Sequence, residues 1–394
     1  VTVWDDLVGQ DRVTEQLRTA AVAARAVLAG EGVGGMTHAW LFTGPPGVGT
    51  ATAARAFAAA LQCVSPDLAL GAEPGCGHCD GCHTALTGTH ADVDVVATEL
   101  LSIGVKETRD LVRRAVMSPA GGRWQVIVLE DAGRLTEGAG NVLLKAIEEP
   151  AERTVWLLCA PSLEDALPTI RSRCRNVQLR TPPAGAVAEV LMRRDGIDPA
   201  MAAFAASASG GDLKSARRLA LDEASRRRRA DVLRIPLVVA DIGQAMAAAQ
   251  RLVDAAAQDA KQVAADLDGR ETEELRAAMG AVGNGRMPSG TAGVMKDLEN
   301  RQKKRATRTQ RDCLDRALVD LTAFYRDVLA VQLRASVPLN NDTMRADLDT
   351  LAGSSTPEAT LRRIEAILAC RQAIDANVAP LLAVEAMVLT LRAG

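Results

Sequence analysis

Through residues 1–180, short β-rich runs alternate with helical stretches, and after Thr181-Pro182-Pro183 the strand signal stops. Such alternation buries its apolar faces by forming a parallel sheet covered with helices. Residues 39–43, 93–97, 125–129 and 154–158 read as strands, and their apolar content suits a sheet buried on both faces. Residues 52–62 read as an Ala-rich helix. Residues 105–116 place Val105, Leu111, Val112, Ala115 and Val116 on one side of a helix. Residues 136–148 do the same with Val142, Leu143, Ala146 and Ile147, before Pro150 ends the helix.

The two prolines predict an extended connection and a boundary near residue 181. Residues 184–221 read as a small helical unit in which Asp212, after Gly210-Gly211, caps a helix running through Lys214 and Arg218. The remainder is helical, with Leu314, Leu318, Leu321, Tyr325 and Val328 spaced three and four apart as the stripe of a packed helix. Residues 280–293, rich in Gly with Asn284, Pro288 and Ser289, read as a mobile loop. The expected division is 1–180, 181–235 and 236–394, in keeping with two to three domains for 394 residues.

The sequence Gly44-Pro45-Pro46-Gly47-Val48-Gly49-Thr50-Ala51 lies between a strand and a helix, the context of a phosphate-binding loop. A working loop follows its last Gly with Lys, which places positive charge on the β- and γ-phosphates, and then Ser or Thr, whose hydroxyl holds Mg²⁺. Here those positions are Thr50 and Ala51. The backbone amides retain some attraction for a phosphate, but productive ATP binding and hydrolysis are not expected. The run Val126-Ile127-Val128-Leu129 ends in Glu130-Asp131, where a Walker B strand would deliver a metal-binding acid and a water-activating acid. Both acids are present in reversed order, so the shorter Asp131 stands where the longer reach is needed. An acid pair at a strand end also serves as an ordinary turn or cap.

Of eight cysteines, Cys63, Cys76, Cys79 and Cys82 are clustered, whereas Cys159, Cys174, Cys313 and Cys370 stand singly among apolar or helical neighbours. The Cys-x12-Cys-x2-Cys-x2-Cys spacing supplies four thiolates, the tetrahedral shell of structural Zn²⁺. Gly75, Gly77 and Gly81 relieve the crowding of short Cys-x2-Cys turns. An iron–sulfur cluster is the competing occupant. His78 and His83 read as surface residues, since four Cys already close the shell.

Lys and Arg number 46 against 49 Asp and Glu, giving a net charge of −3, so the chain as a whole has no polycation's attraction for nucleic acid. No segment reaches about 18 uninterrupted apolar residues, and a cytoplasmic protein without membrane contact is expected. Two basic stretches stand out: Arg226-Arg227-Arg228-Arg229, and the run Arg301, Lys303, Lys304, Arg305, Arg308, Arg311, interleaved with Asp297, Glu299 and Asp312. Either could meet phosphate backbones. Solvated helix faces are the preferred reading.

Trp4-Asp5-Asp6-Leu7-Val8-Gly9-Gln10, His38-Ala39-Trp40-Leu41-Phe42-Thr43-Gly44, Asn141-Val142-Leu143-Leu144-Lys145-Ala146-Ile147-Glu148-Glu149-Pro150 and Ser172-Arg173-Cys174 resemble the clamp-loader branch of the AAA+ proteins. Asn377-Val378-Ala379-Pro380-Leu381 resembles the end of the helical collar in bacterial members, so the likeness spans most of the chain. It implies a RecA-like AAA+ sheet with an inserted zinc module at 63–82, then a small helical lid and an all-α collar. It also implies a place in the pentamer that opens a sliding clamp at primer-template DNA for DNA polymerase III, beside gamma/tau motor subunits and a delta subunit. In that arrangement Arg173 of Ser-Arg-Cys reaches into a neighbour's ATP site. Pairing of Arg173 with a local acid, as for Arg171 and Arg175, is the alternative.

Departures from the motor pattern narrow the resemblance. Thr50 replaces the motor Lys, and Lys214 of Gly211-Asp212-Leu213-Lys214 occupies the place of a second-sensor Arg. Delta subunits typically lack the zinc module and Ser-Arg-Cys, so the resemblance is to delta-prime members, actinobacterial forms most of all, although the first cysteine gap is longer here. Two rivals remain at this point. An autonomous AAA+ ATPase with a divergent phosphate loop predicts turnover by the isolated chain. A zinc-bearing nucleic-acid-binding module predicts DNA binding without partners.

Overall fold

The structure is a computed structural model that describes residues 2–31, 36–98, 101–239, 241–278 and 292–393. The chain divides into two compact units, Val1–Ala220 and Leu221–Gly394. The N-terminal unit runs α1 (Asp11–Leu28), β1 (Ala39–Thr43), α2 (Thr50–Leu61), α3 (Asp80–Thr87), β2 (Val93–Val96), α4 (Val105–Ala115), β3 (Gln125–Leu129), α5 (Glu137–Glu148), β4 (Thr154–Ala160), α6 (Pro168–Arg171) and β5 (Arg175–Gln178). The five strands form one parallel sheet in the order β2-β3-β4-β1-β5, a RecA-like AAA+ sheet.

Successive strand residues point to opposite faces, and both faces are buried. Trp40, Phe42, Val126, Val128, Val155, Leu157 and Val177 join Leu17 of α1 and Phe57 and Leu61 of α2 on one side. Leu41, Ile127, Leu129, Trp156 and Leu158 join Leu111 of α4 and Leu143 and Ile147 of α5 on the other. Trp40 and Phe57 meet edge to face at 5.1 Å, a geometry that adds about 0.5–1.5 kcal/mol beyond burial.

The expected strands are all present, with β2 one residue shorter and β4 two residues longer than the pattern predicts. β5 was not expected, because only Val177 of its four residues is buried. The expected position of Val116 on the apolar side is not met: it is the C-cap of α4 and lies exposed. Thr136 lies just outside α5, where its Oγ1 accepts the Ala139 N–H at 3.3 Å as N-cap. Charge marks both sheet edges. Asp94 of β2 pairs with Arg114 at 2.7 Å, and Arg175 of β5 lies over the Trp40 ring at 4.9 Å.

Three further helices complete this unit: α7 (Ala184–Asp195), α8 (Pro199–Ala208) and α9 (Leu213–Leu221). They share a small core that includes Val187, Leu191, Ala202, Ala205, Ala216 and Leu219. Asp212 caps α9 as its position predicts, with Oδ1 accepting the Lys214 N–H at 2.9 Å and Oδ2 accepting the Ser215 hydroxyl at 2.6 Å. Buried Gln10 holds the chain ahead of the prolines: its Nε2 donates to the Arg180 carbonyl at 2.5 Å and its Oε1 accepts the Arg180 N–H at 3.2 Å.

The C-terminal unit comprises α10 (Glu223–Val238), α11 (Ile242–Ala278), α12 (Ala292–Gln332), α13 (Arg345–Ser354), α14 (Pro357–Asp375) and α15 (Pro380–Ala393). The stripe Leu314, Leu318, Leu321, Tyr325 and Val328 lies in its core with Ile367, Val384 and Val388. The loop expected over 280–293 falls outside the described residues except for positions 292 and 293, which begin α12. Among the described residues no helix is long and apolar enough to cross a membrane.

Candidate functional site

The buried strand β1 runs into the Gly44–Gly49 loop, and Gly49, at φ 94°, is the N-cap of α2. The strand-loop-helix form of a phosphate site is therefore intact, with Thr50 and Ala51 opening the helix. Neither side chain supplies the fixed positive charge that phosphates require. Gly47 is exposed and has φ 88°; a Cβ built on it would fall 2.2 Å from Cγ of Asp212. Only glycine fits beneath that carboxylate.

Glu130 and Asp131 follow β3, and because β1 and β3 run parallel, both acids emerge at the sheet edge where the loop begins. Each is already engaged. Glu130 Oε1 accepts the Arg55 Nε–H at 2.6 Å, with the Glu130 side chain only 17% exposed. Asp131 Oδ2 accepts the Thr98 N–H at 3.0 Å, and its carboxylate lies 3.5 Å from Arg134. A divalent cation reaching Glu130 would have to compete with a charge-assisted hydrogen bond. Arg55 was not singled out in the sequence; its position five residues into the helix that the loop opens is the signal. Burial, and then the Glu130 and Asp131 charges, push the neighbouring Cys159 thiol up, so it stays protonated.

The other end of α2 leads through Gln62 to Cys63. The sulfur atoms of Cys63, Cys76, Cys79 and Cys82 all lie within 4.8 Å of one another. Tetrahedral coordination at the usual Zn–S length separates thiolates by about 3.8 Å, and the Cys63 and Cys79 sulfurs are 3.9 Å apart. The donor set fits a four-thiolate metal site. Hydrogen bonding from the Cys82 thiol pushes Cys63 down, and the same interaction together with burial pushes Cys82 up. The Val64 and Cys82 N–H groups point at Cys79 Sγ at 3.3 and 3.5 Å, as they do around bound thiolates.

Gly75 and Gly77 have positive φ, and a Cβ on Gly81 would fall 2.0 Å from the Gln62 carbonyl, so the glycines fulfil the expected role. The cluster is tied to the N-terminal segment, where Val3 N–H donates to the Gly75 carbonyl at 3.0 Å and Trp4 Nε1 to the Pro74 carbonyl at 3.2 Å. His78 and His83 are exposed.

Arg173 lies just after α6. Its Nε donates to Glu148 at 2.5 Å, and its Nη1 to the Thr169 carbonyl at 3.0 Å and the Ser172 hydroxyl at 3.1 Å. None of these partners belongs to the phosphate-type loop. The side chain is 39% exposed. Arg171 and Arg175, expected to pair with acids, do otherwise: Arg171 donates to the Leu163 carbonyl at 3.4 Å, and Arg175 covers Trp40.

Much of the basic runs is paired internally. Arg227 meets Glu223 at 2.5 Å, Arg228 meets Asp259 at 3.1 Å, and buried Arg229 meets Asp320 at 2.9 Å and Asn341 at 2.6 Å. Arg305 is buried against Asp268 and Glu271, and Arg308 faces Asp312 at 3.6 Å. Residues held this way are not a ready phosphate-binding face.

A family model described as DNA polymerase III, delta subunit, matches residues 32–183, the stretch that holds the loop, the acid pair, the cysteine cluster and Arg173. The DNA polymerase III subunit delta′ of Pseudomonas aeruginosa is 39% identical over 185 residues, covering 46% of this chain and 55% of that protein. The Escherichia coli subunit delta′ is 35% identical over 148 residues, covering 37% and 43%. The DNA polymerase III subunit gamma/tau of Mycobacterium tuberculosis is 34% identical over 189 residues, covering 48% and 30%. The chain thus spans less than two thirds of each relative's length. Delta′ and gamma/tau subunits both match, so the likeness does not choose between them. Over this N-terminal region, which holds the loop, the acid pair, the cysteine cluster and Arg173, the chain is similar to subunits of the DNA polymerase III clamp loader.

Proposed function

We propose that the chain is a stationary, delta-prime type subunit of the clamp loader, lending Arg173 to the ATP site of an adjacent gamma/tau subunit. The observation that carries this reading is the contrast between its own site and Arg173. Thr50 and Ala51 replace the phosphate and metal groups, and Glu130 is bound to Arg55. Arg173 stays at the surface, oriented by Glu148, Thr169 and Ser172, and among the described residues its Nη2 has no partner. A planar, permanently charged guanidinium suits contact with a γ-phosphate.

In this reading the helical C-terminal unit holds the chain among its partners, a delta subunit is a further neighbour, and the assembly loads a sliding clamp onto primer-template DNA in the cytoplasm. Residues 1–180 are the nucleotide-binding-like module, 181–235 the lid and 236–394 the collar. The four cysteines hold a structural Zn²⁺, which would fix the 63–82 insertion by binding four thiolates.

The test is DNA- and clamp-stimulated ATP hydrolysis by the reconstituted loader, comparing the native chain with Arg173→Ala after both are shown to assemble. The ATP site served by Arg173 is expected to slow by about 10³-fold, the lower range for such arginines. Unchanged hydrolysis with intact assembly would reduce Arg173 to a local partner of Glu148.

A further inference from the structure

We propose that Asp212 is a built-in anion that closes the phosphate-type loop against nucleotide. The inference rests on the reading that this chain's own site is inactive, and it adds a cause. Thr50 and Ala51 describe what the loop lacks; Asp212 is something present that phosphate would have to displace.

The space that a Cβ on Gly47 would take is filled by the Asp212 side chain, with Cγ 2.2 Å, Cβ 2.5 Å and Oδ1 2.6 Å from that point. The carboxylate therefore rests directly on the middle of the loop. Its place is fixed from several sides. Oδ1 accepts the Lys214 N–H at 2.9 Å and Oδ2 the Ser215 hydroxyl at 2.6 Å. Gly211, at φ 94°, is wedged against the connection before α7: a Cβ there would fall 2.6 Å from Thr181 Cγ2 and 2.7 Å from the Pro182 carbonyl. That connection is in turn anchored through the two hydrogen bonds between Gln10 and Arg180.

Backbone amides at the start of α2 are the groups that would draw a phosphate to the loop. The Asp212 carboxylate on Gly47, three residues before α2, opposes a second anion drawn to the same loop. No lysine follows Gly49 to offset it, and the Arg55 Nε–H is given to Glu130. Moving Asp212 aside would also remove the cap of α9. The loop and the acid thus form a unit that holds α9 against the sheet domain without nucleotide.

The experiment measures binding of a fluorescent ADP analogue and of inorganic pyrophosphate to the purified full chain. Thr50→Lys/Ala51→Thr is compared with the same pair carrying Asp212→Asn, which keeps the side-chain oxygen that caps α9 and nearly the same volume; thermal unfolding checks that both fold. At least tenfold tighter binding with Asp212→Asn is expected. Equal affinity in the two variants overturns the proposal, as does absence of binding in both, since loss of the charge should open the loop. Measured on the chain alone, the result is independent of whether Arg173 acts on a neighbour.

Discussion

Helix α2 joins two sites that have kept opposite things. At its start the chain has the strand-loop-helix form of a phosphate site, with Thr50 and Ala51 opening the helix and Glu130 held by Arg55. At its end four sulfur atoms that could hold a metal ion converge, all within 4.8 Å of one another. Backbone form and donor set are therefore separable. The loop needs no ligand to persist, because it is also the way a buried strand enters a packed helix. Four converging thiols have no such second use, since thiolate charges brought together repel unless a cation sits between them.

The largest effect should come from breaking the metal end. Chelation, or Cys79→Ser, is expected to lower the unfolding midpoint by about 10 °C, corresponding to about 3–5 kcal/mol for a unit of this size. Calorimetry with metal analysis checks this; an unchanged midpoint, with no metal in the native protein, would place the two ends on the same footing.

Arg55→Met should do less at the loop end. Loss of one partly exposed charged pair is expected to cost about 1 kcal/mol, read by denaturant unfolding. If the variant instead gains Mg²⁺-dependent ATP hydrolysis, the loop end is closer to a working site than its pairing suggests.

The smallest effect concerns acid. His90 follows α3, and its Nδ1 accepts the Asp92 N–H at 3.0 Å, so the fold uses the neutral ring. Burial pushes its pKa down, with the Asp92 charge partly opposing. The resulting stability is fully present above the unfolded value of about 6.5, and is lost as pH falls through the lower folded value. His90→Asn should therefore narrow the fall in unfolding temperature between pH 7.5 and 5.5, by less than about 2 °C. A wider fall would mean that the ring is held protonated.

The sequence made the sheet legible where strands are buried on both sides. In β1, β3 and β4 every residue is buried, so the apolar run and the strand coincide. β5 was illegible for the converse reason: Val177 alone carries its burial, and its place follows from pairing with β1. The loop, the acid pair and the cysteines could be found because their spacing is local. Arg55 and Asp212 could not be assigned to the loop in advance, since one reaches an acid 75 positions away and the other covers a glycine more than 160 positions earlier in the chain. Chain-distant contacts of this kind depend on how the helices pack over the sheet edge.

The two edges of that sheet bear on how the molecule behaves in a crowded solution. A strand approaching β2 meets the Asp94–Arg114 pair, and one approaching β5 meets exposed Arg175, Asn176 and Gln178. Hydrogen-bonded extension of the sheet would have to disturb these charges, which is how natural proteins discourage fibre growth. Self-association through sheet edges is thereby disfavoured.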